Sequence, residues 1–583
     1  MSGTVKATVE AVRSGASSAV EAARDSLARI AEYDAVQPQI WISRRTEEEV
    51  LAAARAVDER LAKGEELPLA GATFAIKDNI DLAGLPTTAA CPAFAYAPDA
   101  DATAVARLIA AGAVAIGKTN LDQFATGLTG TRSPHGAPGC VLNRDYIAGG
   151  SSSGSAVAVA AGLVPFALGT DTAGSGRVPA AFNGLYGLKP TRGRWSTRGV
   201  VPACRSLDCV SLFTRDATDA ALVDKVLAAI DPGDPYSRPA APPADATGTL
   251  GVPKSLDGLA EPLQRLFQAA VERARDAGTR LVEIDVTPLI ACGRLLYEGP
   301  WIAERWAALG PFIRAQPGAV HPVVRALVQG GAGISAAEAF DGFHALKGYE
   351  QAARALWAQV DAIVLPTVPA TYRISEALAE PFALNAHLGL YTNFVNLLDM
   401  AAVAAPAGHL ASDVGFGVSL IGPPWSEARL LTLAEAIADP APPPPLDLTG
   451  RAPSVKLAVV GAHLAGMPLH WQLTARQARL VRACRTAPLY RLYAMAGSTP
   501  PKPALVHVGA GGGAIEVEVY EIALGEFGGF VAEVPAPLAI GTVTLEDGET
   551  VKGFVAEPRA TEGASEITHL GSWRAFLAQK AGL

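Results

Sequence analysis

The sequence predicts an α/β protein: a mixed β-sheet surrounded by helices, followed by a small, separate β-rich domain. Three observations carry that expectation. Short apolar segments of strand character alternate with segments of helical periodicity from about residue 72 to residue 175, which argues an α/β layer architecture. A stretch with Pro440 and the run Pro442, Pro443, Pro444 and Pro445 then interrupts the chain as a stiff linker would. Beyond it, alternating apolar residues and glycine turns replace the βα alternation. The expected divisions are a first domain at 1–438, a linker at 439–454 and a second domain at 455–583.

Size and charge bound the function. At 583 residues the chain is too long for one compact domain, and half of it is hydrophobic, ample for a large core. A net charge of −9 argues against a nucleic-acid surface. No uninterrupted apolar run of about 20 residues suggests a membrane span. The first residues, MSGTVKATVEAVRSG, lack the apolar core of a secretory signal. Cys91, Cys140, Cys204, Cys209, Cys292 and Cys484 are scattered without metal-ligand spacing. They read as thiols of a reducing cytoplasm, with no metal expected.

The elements follow in order. Residues 5–35 carry apolar residues at helical spacing, with Ser17 and Ser18 as capping candidates. Residues 46–63 predict a second helix with a glutamate-rich first turn, which suits the helix dipole. A strand at 72–76, a helix at 103–111, a strand at 114–117 and a helix at 121–126 come next. Residues 156–161 are an Ala/Val run suited to a buried helix, and 166 onward reads as a strand entering a glycine loop. Residues 232–247 predict a proline-rich surface loop, 250–253 a strand, 262–277 a long helix and 361–371 another strand with a proline exit. Residues 295–309 read as one amphipathic helix with Tyr297 and Arg305 two turns apart on one face. After the linker, 455–473 predicts a strand, a loop and the start of a helix ending near residue 486; alternating strands follow.

The chemistry concentrates between Ile147 and Ala181. IAGGSSSGSAVAVAAG and FALGTDTAGSGRVPAA each set serines among glycines ahead of small apolar residues. The glycines permit tight turns and leave N–H groups uncrowded at Thr170, Thr172, Ala173, Gly174 and Ser175; those of Thr172, Ala173, Gly174 and Ser175 are expected to form an oxyanion hole beside a nucleophile in the same loop. A serine nucleophile needs a base. No histidine lies between Gly136 and Val320, and His135 sits in a loop with nothing to orient it. Lys77 ends the apolar strand 73–76, where desolvation favours the neutral, proton-accepting amine.

With Ser151 and Ser175 24 residues apart, these segments resemble the amidase signature family. The resemblance implies that family's mixed-sheet fold and a Ser–cis-Ser–Lys triad: Ser175 as nucleophile, Ser151 as bridge in a cis, non-proline peptide, and Lys77 as base. Ser153 and Ala173 stand where the family often has glycine. The loop LDQFATGLTGT resembles the family's substrate-side loop, so backbone groups of Gly127, Leu128 and Thr129 are expected against the substrate amide. Arg177 and Asp208 are expected as structural charges. LLYEGPWIAERWAAL, together with TDTAGSGRVPA, resembles the allophanate hydrolases within that family. There the residues matching Tyr297 and Arg305 bind the substrate carboxylate, a task the planar guanidinium fork suits. The C-terminal part resembles the γ-glutamyl-cyclotransferase-like domain of the same enzymes, with His463 as a candidate proton donor for a later decarboxylation.

The resemblance thus implies hydrolysis of the terminal amide of allophanate, releasing ammonia and N-carboxycarbamate. A cytoplasmic homodimer acting on a small molecule, without metal or organic cofactor and without nucleic-acid or membrane partners, is expected. The alternatives are a general amidase, the amidase component of an amidotransferase and, more remotely, a catalytically dead scaffold.

Overall fold

A computed structural model of the chain describes residues 3–242, 247–256, 259–412, 414–440, 454–476 and 478–581. Most of the proline-rich linker lies outside the described residues. The chain divides into two compact units, Met1–Gly450 and Arg451–Leu583.

Eleven strands of the first unit form one sheet. They are β1 Trp41–Arg44, β2 Thr73–Lys77, β3 Val114–Thr119, β4 Phe166–Asp171, β5 Tyr186–Lys189, β6 Cys209–Thr214, β7 Thr249–Pro253, β8 Arg280–Ile284, β9 Ala362–Pro366, β10 Ala401–His409 and β11 Gly415–Gly422. Their order across the sheet is β1-β3-β2-β4-β6-β5-β10-β11-β9-β7-β8. β2 runs parallel to both β3 and β4, and β7 parallel to β8 and β9; the centre, from β4 to β11, pairs antiparallel. The sheet is mixed, and the strands β2, β3, β4 and β6 are buried at every position. That burial on both faces is why they read as continuous apolar runs rather than as alternation.

Helices cover the sheet where their capping residues start them. Ser18 and Thr46 each close a capping box, with Glu21 and Glu49, opening the helices Ala19–Tyr33 and Glu47–Ala62. The Ala/Val run belongs to a helix, Ser153–Ala160, whose residues through Val159 are all buried. Ser155 Oγ ties it to the sheet through Leu168 O at 2.9 Å and Thr119 Oγ1 at 2.7 Å. Under it, Phe74 of β2 stacks on Phe166 of β4 with centroids 5.2 Å apart.

Three expectations change. Residues 121–126 form a single 3₁₀ turn, Gln123–Ala125, with Phe124 and Ala125 at positive φ, rather than an α-helix. Residues 295–309 are two helices, Leu295–Glu298 and Trp301–Ala315, because Gly299 and Pro300 interrupt the ladder and Pro300 restarts it as N-cap. Past the linker, the helix expected to end near residue 486 is one turn, Trp471–Thr474, followed by a strand, Arg479–Arg485. RLVRACR satisfies a strand as well as a helix, and pairing with a neighbouring strand decides it.

The second unit is β-rich. Continuing the numbering, β12 is Ser454–Val459, β13 Arg479–Arg485, β14 Tyr490–Ala494, β15 Pro503–His507, β16 Glu516–Ala523, β17 Leu538–Thr544, β18 Thr550–Ala556 and β19 Ser565–Glu566. They form a five-stranded sheet, β13-β16-β12-β18-β17, and a three-stranded sheet, β15-β14-β19.

One ion pair fixes the glycine loop after β4. Arg177 donates from Nε and Nη2 to the two carboxylate oxygens of Asp171, each at 2.9 Å, with both side chains fully buried. Its Nη1 and Nη2 also reach Thr392 O at 3.2 Å. The same carboxylate accepts the backbone N–H of Gly174 at 2.9 Å and of Gly176 at 3.0 Å. Burial alone would push the Asp171 carboxyl up; the Arg177 guanidinium overrides it and holds it below its ordinary value. Removing one partner of such a pair leaves an uncompensated buried charge. Arg177→Met is therefore expected to lose about 3–5 kcal/mol of stability in urea unfolding followed by tryptophan fluorescence. A loss under about 1 kcal/mol would show that the pair does not anchor the loop.

Candidate active site

Lys77 is the last residue of β2 and fully buried. Its Nζ donates to Ser151 Oγ at 2.8 Å and to Thr170 Oγ1 at 2.7 Å. Both acceptors are neutral hydroxyls. The carboxylates nearby are committed elsewhere. Asp78 pairs with Lys118 Nζ at 3.0 Å and accepts the Thr88 hydroxyl. Asp171 holds Arg177, as described above. Asp122 accepts backbone N–H groups from Gly130 at 3.0 Å and Arg132 at 2.8 Å. Asp208 accepts Thr172 Oγ1 at 2.5 Å and the backbone N–H groups of Ala203 and Cys204.

Lys77 thus has charges at a distance and no ion-pair partner among the described residues. Desolvation dominates and brings its amine down to about 7, against the opposing fields of Asp122, Asp171 and Asp208. Near neutral pH a large share of it carries a free lone pair. The same burial raises the Asp208 carboxyl to about 6, against its hydrogen bonds from Thr172 and Cys204 and the Arg305 charge.

Ser151 lies in the turn ahead of the buried helix Ser153–Ala160, and the Gly150–Ser151 peptide is cis. Gly150 has no alternative there: a Cβ on it would sit 2.1 Å from Asp122 Oδ2 and 2.5 Å from the N of Gly130. Ser151 O accepts the N–H of Asp122 at 3.0 Å, which joins this turn to the loop after β3.

Ser175 is 3% exposed and follows Gly174, which at φ 134° adopts a backbone that side chains disfavour. Its Oγ donates to Gly127 O at 3.5 Å, a long contact. Lys77 and Ser151 are hydrogen-bonded; Ser151 and Ser175 are not in this structure. Such links are commonly long without substrate and tighten in the reacting complex. Of the four N–H groups expected as an oxyanion hole, that of Gly174 is directed onto Asp171 and drops out as a donor. Those of Thr172, Ala173 and Ser175 have no acceptor among the described residues.

The substrate-side loop is likewise narrowed. Leu128 spends both backbone groups internally: its N–H goes to Asn385 Oδ1 at 2.7 Å and its carbonyl accepts Gly150 N at 2.8 Å. Thr129 Oγ1 pairs with Thr131 Oγ1 at 2.8 Å. The Gly127 carbonyl is the group of this loop that meets Ser175.

Tyr297 and Arg305 come together despite lying on separate helices. The Arg305 guanidinium lies 5.5 Å from the Tyr297 ring centroid. Arg305 is 1% exposed, and its Nη1 donates to Thr126 Oγ1 at 3.1 Å. Its Nε and Nη2, the edge that forks onto a carboxylate, bond to nothing among the described residues.

Sequence reasoning missed Lys118, Asp122, Thr126 and Arg132, and it singled out Thr170 for its backbone N–H rather than for the hydroxyl that meets Lys77. Lys118 was within reach: the strand expected at 114–117 extends to Thr119, and its parallel register against β2 sets Lys118 opposite Ile76, beside Asp78. Thr126 and Arg132 depend on an irregular loop with no periodic signal.

In the second unit, His463 follows β12 and lines a cavity of about 250 Å³ with Lys502, Glu533 and Gln472. Its Nε2 meets Gln472 Oε1 at 2.7 Å, and its ring stacks on Phe554 at 4.8 Å between centroids. Burial lowers its affinity for a proton. Gly461, in the same loop, also lines this cavity, and a Cβ there would fall 2.3 Å from Cδ of Pro503, another lining residue. No group of histidine, cysteine and acidic residues placed to hold a metal ion is found among the described residues. No described helix is long and apolar enough to cross a membrane.

The chain belongs to the amidase family, which its residues 22–431 match. Residues 455–578 match the allophanate hydrolase C-terminal domain. The chain is similar over almost its whole length to the crystal structure of Kluyveromyces lactis allophanate hydrolase, with a TM-score of 0.72, 39% identity and 99% of each chain covered. It is 42% identical to the urea amidolyase of Saccharomyces cerevisiae over 92% of its own length, and spans 31% of that longer protein. A glutamyl-tRNA(Gln) amidotransferase subunit from Geobacter metallireducens is 36% identical, over 72% of this chain and 93% of that one. That likeness leaves out more than a quarter of this chain.

Proposed function

We propose that the protein is an allophanate hydrolase. Ser175 Oγ attacks the terminal amide carbonyl of allophanate. Lys77, with Ser151 as bridge, accepts the serine proton and returns it to the nitrogen that leaves as ammonia. The N–H groups of Thr172, Ala173 and Ser175 receive the oxyanion; one such donor is worth about 3–4 kcal/mol of barrier. Water then cleaves the ester between Ser175 and the acyl group, giving N-carboxycarbamate, which loses carbon dioxide.

The observation that carries the substrate assignment is the open Nε/Nη2 edge of buried Arg305, stacked on Tyr297. A buried guanidinium without a carboxylate partner is costly unless its ligand supplies one. Allophanate does; a neutral amide does not. The C-terminal match supports the same assignment over the general amidase and amidotransferase alternatives. The free thiols of all six cysteines, five of them buried, support a cytoplasmic location. For the second unit we propose the decarboxylation step, with His463 as proton donor and Lys502, which lines the same cavity, as the cationic anchor.

Three measurements test this reading. If Lys77 is the base, the rate at which a fluorophosphonate phosphonylates Ser175, with loss of fluoride, should rise with pH as the amine loses its proton, half-maximal near the value of about 7 it holds in the fold. Lys77→Ala should then cost at least about a hundredfold in kcat. A flat profile across that range, or a Lys77→Ala enzyme keeping a tenth of its activity, would overturn the assignment.

Arg305→Ala and Tyr297→Phe should raise KM for allophanate far more than for any accepted neutral amide, Arg305→Ala by the equivalent of about 2–5 kcal/mol. Equal losses on charged and neutral substrates would make the patch structural. In the full chain, His463→Ala should release the first ammonia at the normal rate while carbon dioxide lags behind it. Carbon dioxide keeping pace would remove His463 from the reaction.

A further inference from the structure

Arg132 has no role in the account so far, and its surroundings are unusual for a buried arginine. It is 1% exposed and lies at the end of the loop that carries Gly127. Its Nη1 donates to Thr126 O at 3.0 Å and its Nη2 to Pro381 O at 2.5 Å. Its Nε has no partner, and it makes no ion pair among the described residues. Asp122, the nearby carboxylate, takes the backbone N–H of Arg132 instead of its guanidinium.

Arg132 and Arg305 hang on one residue, Thr126: the first on its carbonyl, the second on its hydroxyl. Each leaves Nε unbonded. Arg132 also lines, with Tyr297, Asn385 and the charged pair Arg294 and Glu298, a cavity of about 370 Å³. Burial and the nearby Arg305 both weaken its hold on its proton, opposed by Asp122 and Tyr297. Arginine nonetheless stays charged in proteins. Two buried guanidinium groups therefore bear on one side of the site, each in the field of an aspartate it does not pair with, Asp122 for Arg132 and Asp208 for Arg305, and the repulsion between them falls when an anion enters.

We infer that Arg132 is a second specificity-determining cation of the carboxylate pocket, setting through its charge the preference for amides that bear a carboxylate. Arg305 offers the fork; Arg132, held by two backbone carbonyls and lining the cavity beside Tyr297, adds positive field to it. Such a field gains strength in a water-poor interior. The inference rests on the proposed reading that the substrate is a carboxylate-bearing amide.

The test compares kcat/KM for malonamate, which carries a carboxylate, with that for malonamide, which is neutral. Arg132→Lys keeps the charge. Arg132→Gln keeps a donor for the carbonyls of Thr126 and Pro381 and loses the charge. The lysine variant should retain the wild-type ratio within about threefold, and the glutamine variant should lower it at least about tenfold, chiefly through KM for malonamate. Malonate affinity measured calorimetrically on the same two proteins should follow the same order. If both variants lose the two substrates equally, Arg132 only ties the loop down and the inference fails. If wild type hydrolyses malonamide as well as malonamate, the proposed substrate class itself fails. If wild type discriminates and Arg132→Gln discriminates as strongly, only the role of Arg132 falls.

Discussion

The first unit is organised around a lysine amine placed where no carboxylate can claim it. A buried ammonium is stable only beside a counter-charge; Asp122, Asp171 and Asp208 bear on the amine through their fields, and Asp78 follows it in the chain. Each is occupied instead, Asp78 by Lys118, Asp122 by backbone N–H groups, Asp171 by Arg177 and Asp208 by Thr172. The amine is left with two hydroxyls and the solvation penalty of the interior. Its low proton affinity is thus a property of the neighbourhood rather than of any single contact. Lys118 and Arg177 act on Lys77 by keeping Asp78 and Asp171 engaged. The glycine loop, the turn at Ser151 and the ends of β2, β3 and β4 are arranged so that these pairings close at one point.

Much of this was legible in the sequence because it rests on local chemistry. A lysine ending an apolar strand and two serine–glycine loops of fixed separation are visible without a fold. The companions were not, because they arrive across strands: Thr170 lies 93 residues from Lys77 and meets it through the β2–β4 pairing. The central strands β10 and β11 were invisible for another reason. AAVAAPAGH is built largely of alanine, which local propensity assigns to no strand, and in GFGVSLIG three glycines interrupt the strand-forming Phe, Val, Leu and Ile. They are strands because both faces are covered, and coverage is not a local property. The break at Gly299 and Pro300 could have been read from proline alone, but the apolar spacing of Tyr297 and Arg305 imitated one continuous helix. The helix break still leaves the two side chains in contact.

The charges divide by task. Around Lys77, the anions are paired or hydrogen-bonded elsewhere, so that none holds the amine as an ammonium. Around Thr126, two buried guanidinium groups make no ion pair among the described residues, which on the proposed reading suits an anionic substrate. The two regimes lie on either side of one short loop: Asp122 receives its backbone at Gly130 and Arg132, while Gly127 turns its carbonyl to Ser175. That loop is irregular and left-handed at Phe124 and Ala125 because neither a helix nor a strand could present both sets of groups.

The helix Ser153–Ala160 has a consequence for how this protein can vary. It presents serine, glycine, alanine and valine to neighbours on every side and has no solvent face along the stretch through Val159. A surface helix can drift in sequence while keeping its inner stripe; this one has no outer positions where change is free. Adding a methyl group there would overpack a helix with no free side, one that begins directly after the turn bearing Ser151. The spacing between amine and hydroxyl is thereby inherited from close packing, so the positions least open to neutral substitution include alanines that touch no substrate.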